Sequence, residues 1–235
     1  MILRIFLVFL GFYCAFCVGM TSAHALESIK CQAKAPPKIN VVPSNSKVKY
    51  DFTKTKEQLN QVDVDTISPY GPNHKTYVSG LMSGSIQVKS QIGFIQETYD
   101  RLGVGCAYLK SIDVEIHIDP TIFVASEYPK GSCMHNAVLT HEYKHVREDQ
   151  LIVNKYANVI GKALASIVEA RGPSFGPYEV AKIPVVQENV QKSFGEVLKR
   201  YNQQMNEERQ HRQQGIDTLE EYQSIGKECK PQKRG

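Results

Sequence analysis

From Cys133 to Ala170 the chain has no proline and a single glycine, Gly161. Met134, Val138, Ile152 and Val159 recur there at near-helical spacing with His141 and His145. The pattern predicts one long helix, running as far as Arg171, around which the rest of the chain is organised. Within it, Val138 to Val146 contains His141-Glu142-Tyr143-Lys144-His145, an HExxH motif. On a helix, residues four apart stack one turn above each other, so both imidazoles leave from one face. Two neutral imidazoles placed this way are a ready pair of zinc ligands. Glu142 lies about 100° around the helix from His141, within reach of a water held at such a metal.

At these residues the chain resembles the zincin superfamily of zinc metallopeptidases. The resemblance implies zinc ligation by His141 and His145. It also implies peptide-bond hydrolysis by zinc-activated water, with Glu142 as general base. The HExxHxxGxxH continuation of the metzincin branch is absent, because Glu148 stands where that branch has glycine and Leu151 where it has its third histidine. What remains is similar to the gluzincin type, and to an uncharacterised family of bacterial predicted secreted zinc-dependent proteases. That family carries a YDxxTxHG-like element near its C-terminus; the counterpart here is Ile216 to Tyr222, matching at Asp217. The resemblance covers residues 133–150. In zincins the edge strand nearest the active helix pairs with an extended peptide, and residues 112–126 are expected to supply it.

A third metal ligand has to come from elsewhere. Asp149 lies about 12 Å along the helix axis from His141, too far for a shared ion, and Glu148 about 10 Å. Glu148 reads as a supporting or surface charge, and Glu169 is farther still. Two long helices turning near Gly172–Pro177 as an antiparallel hairpin bring residues 203–213 opposite the histidines. Glu207, Glu208 and His211 fall in that window. Glu208 is the favoured ligand, giving a His₂Glu set. Tyr201, His211 and Tyr222 are candidates for polarising a substrate carbonyl.

Residues 1–25 read as a signal peptide. Arg4 supplies the charge, Ile5 to Met20 the apolar run, and Ala23-His24-Ala25 the cleavage site, with cleavage after Ala25. The expected location is periplasmic or secreted, with no other stretch apolar enough to enter a membrane. Residues 26–235 suit a single zincin-like metallopeptidase domain. The formal charge of +4 falls to +3 on losing Arg4, too mild for a nucleic-acid protein. Lys227, Lys230, Lys233 and Arg234 read as a solvated tail. Cys14 and Cys17 leave with the signal, and Cys31, Cys106, Cys133 and Cys229 remain. An even count in an exported protein suggests two disulfides, and three pairings are open. Cys106–Cys133 and Cys31–Cys229 are favoured.

Between signal and motif the chain reads as strands: a short one at 38–42, another through Val48, Tyr50 and Phe52, then 77–99 broken at Ser83-Gly84-Ser85, 112–118, and 121–126 as the hairpin or bulged partner of 112–118. Thr55 and Gln58 fit a capping box. His117, on the polar face of its strand, reads as solvated. After Pro184 a long polar helix carries an apolar stripe of Val190, Phe194, Leu198 and Tyr201. A last short helix starts at Asp217 or Thr218. The expected fold is α+β: a small, mainly antiparallel sheet beside two long helices, the first carrying HExxH. The expected activity is that of an exported zinc peptidase acting on protein or peptide. Its rivals are a cell-wall amide hydrolase and a non-catalytic binding or assembly protein with structural zinc. Oligomeric state is left open.

Overall fold

The computed structural model describes residues 29–62, 66–71 and 77–229. The expected signal peptide and the tail residues Lys230, Lys233 and Arg234 lie outside the described residues. The fold is α+β, with two long helices packed on sheet. Strands β1 (Lys38–Asn45), β4 (Ile86–Tyr99), β5 (Val104–Ile118) and β7 (Ser174–Glu179) form one sheet. A smaller sheet has the order β2 (Lys49–Asp51), β6 (Thr121–Val124), β3 (Gly80–Ser83). The helices are α1 (Lys56–Leu59), α2 (Cys133–Arg171), α3 (Ile183–Ile216) and α4 (Leu219–Glu228).

The sheets are mixed rather than mainly antiparallel. β1 runs parallel to β5 and β2 parallel to β6, while β4 and β7 on β5, and β3 on β6, are antiparallel. Hairpin logic reads neighbours in sequence. It cannot see that the N-terminal strands join strands some 70 residues downstream (Lys38 to Ser111, Lys49 to Thr121). For the same reason β6 is not the hairpin partner of β5. Asp119-Pro120 ends β5, and β6 continues in the other sheet between β2 and β3.

Alternation along β5 sends Ile112, Val114, Ile116 and Ile118 inward, each no more than 2 % exposed. They meet Ile152, Tyr156, Ile160 and Leu164 of α2 and Phe194, Leu198 and Met205 of α3. Fully burying one such aliphatic side chain stabilises by about 1.5–3 kcal/mol. A second cluster, Ile122, Val124, Val138 and Val146, ties the small sheet to the HExxH end of α2. The capping box at Thr55 and Gln58 forms as expected, and His117 is held by the Ser44 and Ser46 hydroxyls at 2.7 and 3.1 Å. By length and composition α2 is apolar enough to cross a membrane, contrary to expectation; in this fold its apolar face lies on the sheet.

The edge strand is also not where it was expected. β5 has β4 on one side and β1 and β7 on the other, and β6 is flanked by β2 and β3. At the HExxH end of α2 the neighbouring edge strand is β3, at one end of the smaller sheet.

The disulfides are Cys31–Cys106 and Cys133–Cys229, each with 5.5 Å between Cα atoms. They correct the favoured Cys106–Cys133 and Cys31–Cys229 pairings. Cys106 points to the β7 side of β5, where the N-terminal segment crosses near Gly176, and so meets Cys31. Cys133, at the first residue of α2, meets the end of α4. Peptide mapping under non-reducing conditions is expected to recover these two pairs; recovery of a Cys106–Cys133 peptide would contradict the fold. Replacing Cys133 and Cys229 by serine should lower unfolding free energy by about 2–5 kcal/mol in guanidinium titration.

Candidate metal centre

α2 begins at Ser132, whose hydroxyl accepts the His135 N–H, and continues unbroken through the motif. His141 and His145 therefore sit one turn apart, both buried, with ring planes 81° apart and centroids 5.0 Å apart. The chain breaks its helix at Asp217, between the end of α3 and the Thr218 cap of α4. That break turns the Asp217 carboxylate inward. Its Oδ1 lies 3.1 Å from His141 Nε2 and 3.2 Å from His145 Nε2, and the two Nε2 atoms are 3.3 Å apart. His141, His145 and Asp217 form a buried group that could hold a metal ion.

The outer ring atoms show what occupies the inner ones. His145 Nδ1 faces Gln213 Oε1, and His141 Nδ1 faces Glu221 Oε1 at 3.4 Å. Both partners are acceptors, so both Nδ1 atoms donate. In the neutral imidazoles the Nε2 atoms then carry lone pairs, aimed at each other and at a carboxylate oxygen. Three such atoms at this spacing repel unless positive charge lies among them, as protons on the rings or as a metal ion. Tyr222 donates its hydroxyl to the same Oδ1 at 3.2 Å. Burial works to raise the Asp217 pKa, but with protons on the Nε2 atoms the bonds from His141 and His145, and one from Thr66, outweigh it and hold the carboxyl well below the usual range. Burial likewise opposes charge on His145, yet Asp217 and the nearby Glu142 raise its pKa overall.

Glu142 is 5 % exposed and faces the same space. Burial pushes its carboxyl up to about 7; His141 and His145 pull it down, Asp217 raises it, and the Met82 N–H bonds it. That bond fixes β3 against α2. In β3 the residues facing β6 alternate with residues facing outward. Ser79 O accepts from Ala125 N at the head of this ladder, so Gly80 and Met82 turn their backbone groups away from β6, and the Met82 N–H meets Glu142. The approach is close enough to demand glycine: a Cβ at Gly80 would lie 2.3 Å from Val138 Cγ1 and 3.0 Å from Glu142 Oε1. A cavity of about 570 Å³ opens here, with His141, Glu142, His145 and Asp217 in its wall and Met82, Met134, Val138 and Ile225 giving apolar surface.

Glu208, expected as third ligand, is elsewhere. It bonds Lys155 at 2.5 Å, Tyr156 at 3.2 Å and Arg212 at 2.8 Å. Lys155 lies about 15 Å along α2 from His145. The intervening β7 alters the hairpin register, so Gln213 rather than Glu208 comes opposite His145. Glu207 bonds Gln203, His211 and Glu169 are exposed, Glu148 pairs with Arg212, and Tyr201 packs at the apolar core. Of the carbonyl-polarising candidates, Tyr222 reaches the centre. Asp217 is the residue that helix-register reasoning missed. Gln213 carried no signal, being one glutamine among many in α3.

For the protein groups alone, the raised Glu142 pKa has a definite sign. The unfolded value is near 4.5 and the folded value about 7. The stability contributed by the neutral carboxyl is complete below 4.5 and lost as pH rises through 7. About 3 kcal/mol is involved. In excess chelator, Glu142→Gln should therefore melt several degrees above wild type at pH 8, with the gap closing toward pH 4.5. Superimposable melting at both pH values would refute the burial assignment.

Comparison of the chain with protein-family models, with curated protein sequences and with solved structures finds no match.

Proposed function

We propose that the protein is an exported zinc-dependent peptidase. The triangle of ligand atoms carries this reading. Tetrahedral zinc with bonds of about 2.0–2.1 Å holds its ligand atoms about 3.3 Å apart. The edges of the His141–His145–Asp217 triangle are 3.3, 3.1 and 3.2 Å. Two imidazoles favour zinc over calcium or magnesium, which prefer all-oxygen shells. Three protein ligands beside a cavity suit a catalytic site better than a structural one, which closes its shell with four.

Zinc, when bound, supplies Lewis-acid polarisation of the scissile carbonyl and lowers the pKa of a water from 15.7 to about 7. Glu142 takes the proton from the attacking water and delivers it to the amide nitrogen as the C–N bond breaks. The Tyr222 hydroxyl, at the cavity wall, turns from Asp217 to donate to the oxygen on which negative charge develops. Burial first, then the charges of Asp217 and Glu142, raise its pKa and keep it protonated. The outward backbone groups of β3 other than the Met82 N–H, which Glu142 takes, accept an extended peptide as an added strand. Export is supported by the leader-like N-terminus and by two disulfides, which persist in oxidising compartments.

The test is elemental analysis together with hydrolysis of casein and of peptidoglycan fragments. Wild type and Glu208→Ala should each hold one zinc, and Asp217→Ala should lose it. Glu142→Gln should keep zinc but lose about 10²–10⁴-fold in kcat/KM. Absence of zinc from wild type, even after addition, would overturn the reading. Equal activity of Glu142→Gln would leave a structural zinc, and cleavage of peptidoglycan alone would move the substrate to cell-wall amides.

A further inference from the structure

We infer that Gln213 is a positioning residue of this centre: its side-chain amide sets the tautomer of His145, and the Asp149–Arg209 pair sets the amide. The inference rests on the metal reading above. Gln213 is 2 % exposed and Asp149 is 0 % exposed, although neither belongs to the ligand set. The Gln213 Nε2 group donates to His145 O at 3.1 Å and to Asp149 Oδ1 at 2.6 Å. Both are acceptors only, so the reversed amide would set its oxygen against a carbonyl and a carboxylate. Oε1 is thereby committed to face His145 Nδ1. The imidazole must donate from Nδ1, and its Nε2 lone pair is left for the centre.

Asp149 acts one step farther out. Its Oδ1 accepts from Arg209 Nε at 2.7 Å and its Oδ2 from an Arg209 terminal nitrogen at 3.1 Å. Arg209 also reaches the Gly84 carbonyl at 3.4 Å, in the turn between β3 and β4. The four residues are two turn-spaced pairs facing each other, His145 and Asp149 on α2, Arg209 and Gln213 on α3. An ion pair whose carboxylate is fully buried is a weak source of stability compared with apolar side chains of the same volume. What an apolar pair could not do is orient the amide. His141 is served differently: Glu221, which faces its Nδ1, lies on α4 and is shared with Lys144.

The alternative is that Asp149, Arg209 and Gln213 only staple the two helices. Zinc affinity by competition with a chromophoric chelator separates the two, on the full mature chain and its Gln213→Met, Asp149→Asn and doubly substituted forms. Gln213→Met keeps the volume and removes the acceptor. Melting in excess chelator reports any loss of fold. A relay predicts a loss of zinc affinity of about 10- to 100-fold for Gln213→Met. It predicts a smaller loss for Asp149→Asn, and less than about twofold further loss when Asp149→Asn is added to Gln213→Met. Unchanged affinity in Gln213→Met, or losses that simply add, would overturn the relay. A readout that needs no metal is the nitrogen-15 NMR pattern of the His145 ring at pH 8. A proton on Nδ1 is expected in wild type and its loss in Gln213→Met; a wild-type ring protonated at Nε2 alone overturns the inference alone. Failure of wild type to take up zinc overturns the metal reading, and the inference with it.

Discussion

Three lone-pair atoms, His141 Nε2, His145 Nε2 and Asp217 Oδ1, face one another inside the protein at 3.1–3.3 Å. Such an arrangement is unfavourable without positive charge at its centre, and much of the surrounding structure maintains it. Glu221 and Gln213 hold the rings from outside, while Tyr222 and Thr66 hold the carboxylate. The Cys133–Cys229 bridge closes α4 back on the first turn of α2, so the segment bearing Asp217 is anchored at both ends, by α3 and by the disulfide. Energy is spent on these contacts that a purely structural core would put into apolar packing.

The same economy of space governs the approach of β3. Gly80 lets the strand come within bonding reach of Glu142, and the Met82 N–H meets the carboxylate. A buried carboxyl beside two imidazoles and another carboxylate has competing influences. Burial makes it hold its proton and the imidazoles make it release one. A group poised between these is suited to accepting and returning a proton near neutral pH. The edge of β3, elsewhere a liability for aggregation, here borders the cavity.

The architecture separates two tasks. The larger sheet, α2 beyond Ile152 and the first half of α3 form the main apolar core, which fixes the two helices against each other. The small sheet, the first half of α2 and the end of α3 hold the centre and the cavity. Between them the Asp149–Arg209 pair couples helix packing to the geometry of His145.

Several elements were legible in the sequence because their causes are local. Helix α2 follows from an uninterrupted run of compatible residues, the Thr55 capping box from two side chains three apart, and the inward face of β5 from strict alternation. The HExxH pair is local too: a helix alone sets His141 and His145 on one face. The strand order, the disulfide partners and the third member of the triangle depend on contacts between distant segments. Glu208 was a sound reading of a simple hairpin. β7, which pairs with β5, changed the register and gave Glu208 to Lys155 and Arg212. The sequence by itself determined the two histidines, Glu142 and the helix that presents them, since a turn of helix is specified by its own residues. Only the tertiary structure decided that Asp217 completes the group and Gln213 orients it, because a backbone break and a helix register are properties of packing between segments rather than of either segment alone.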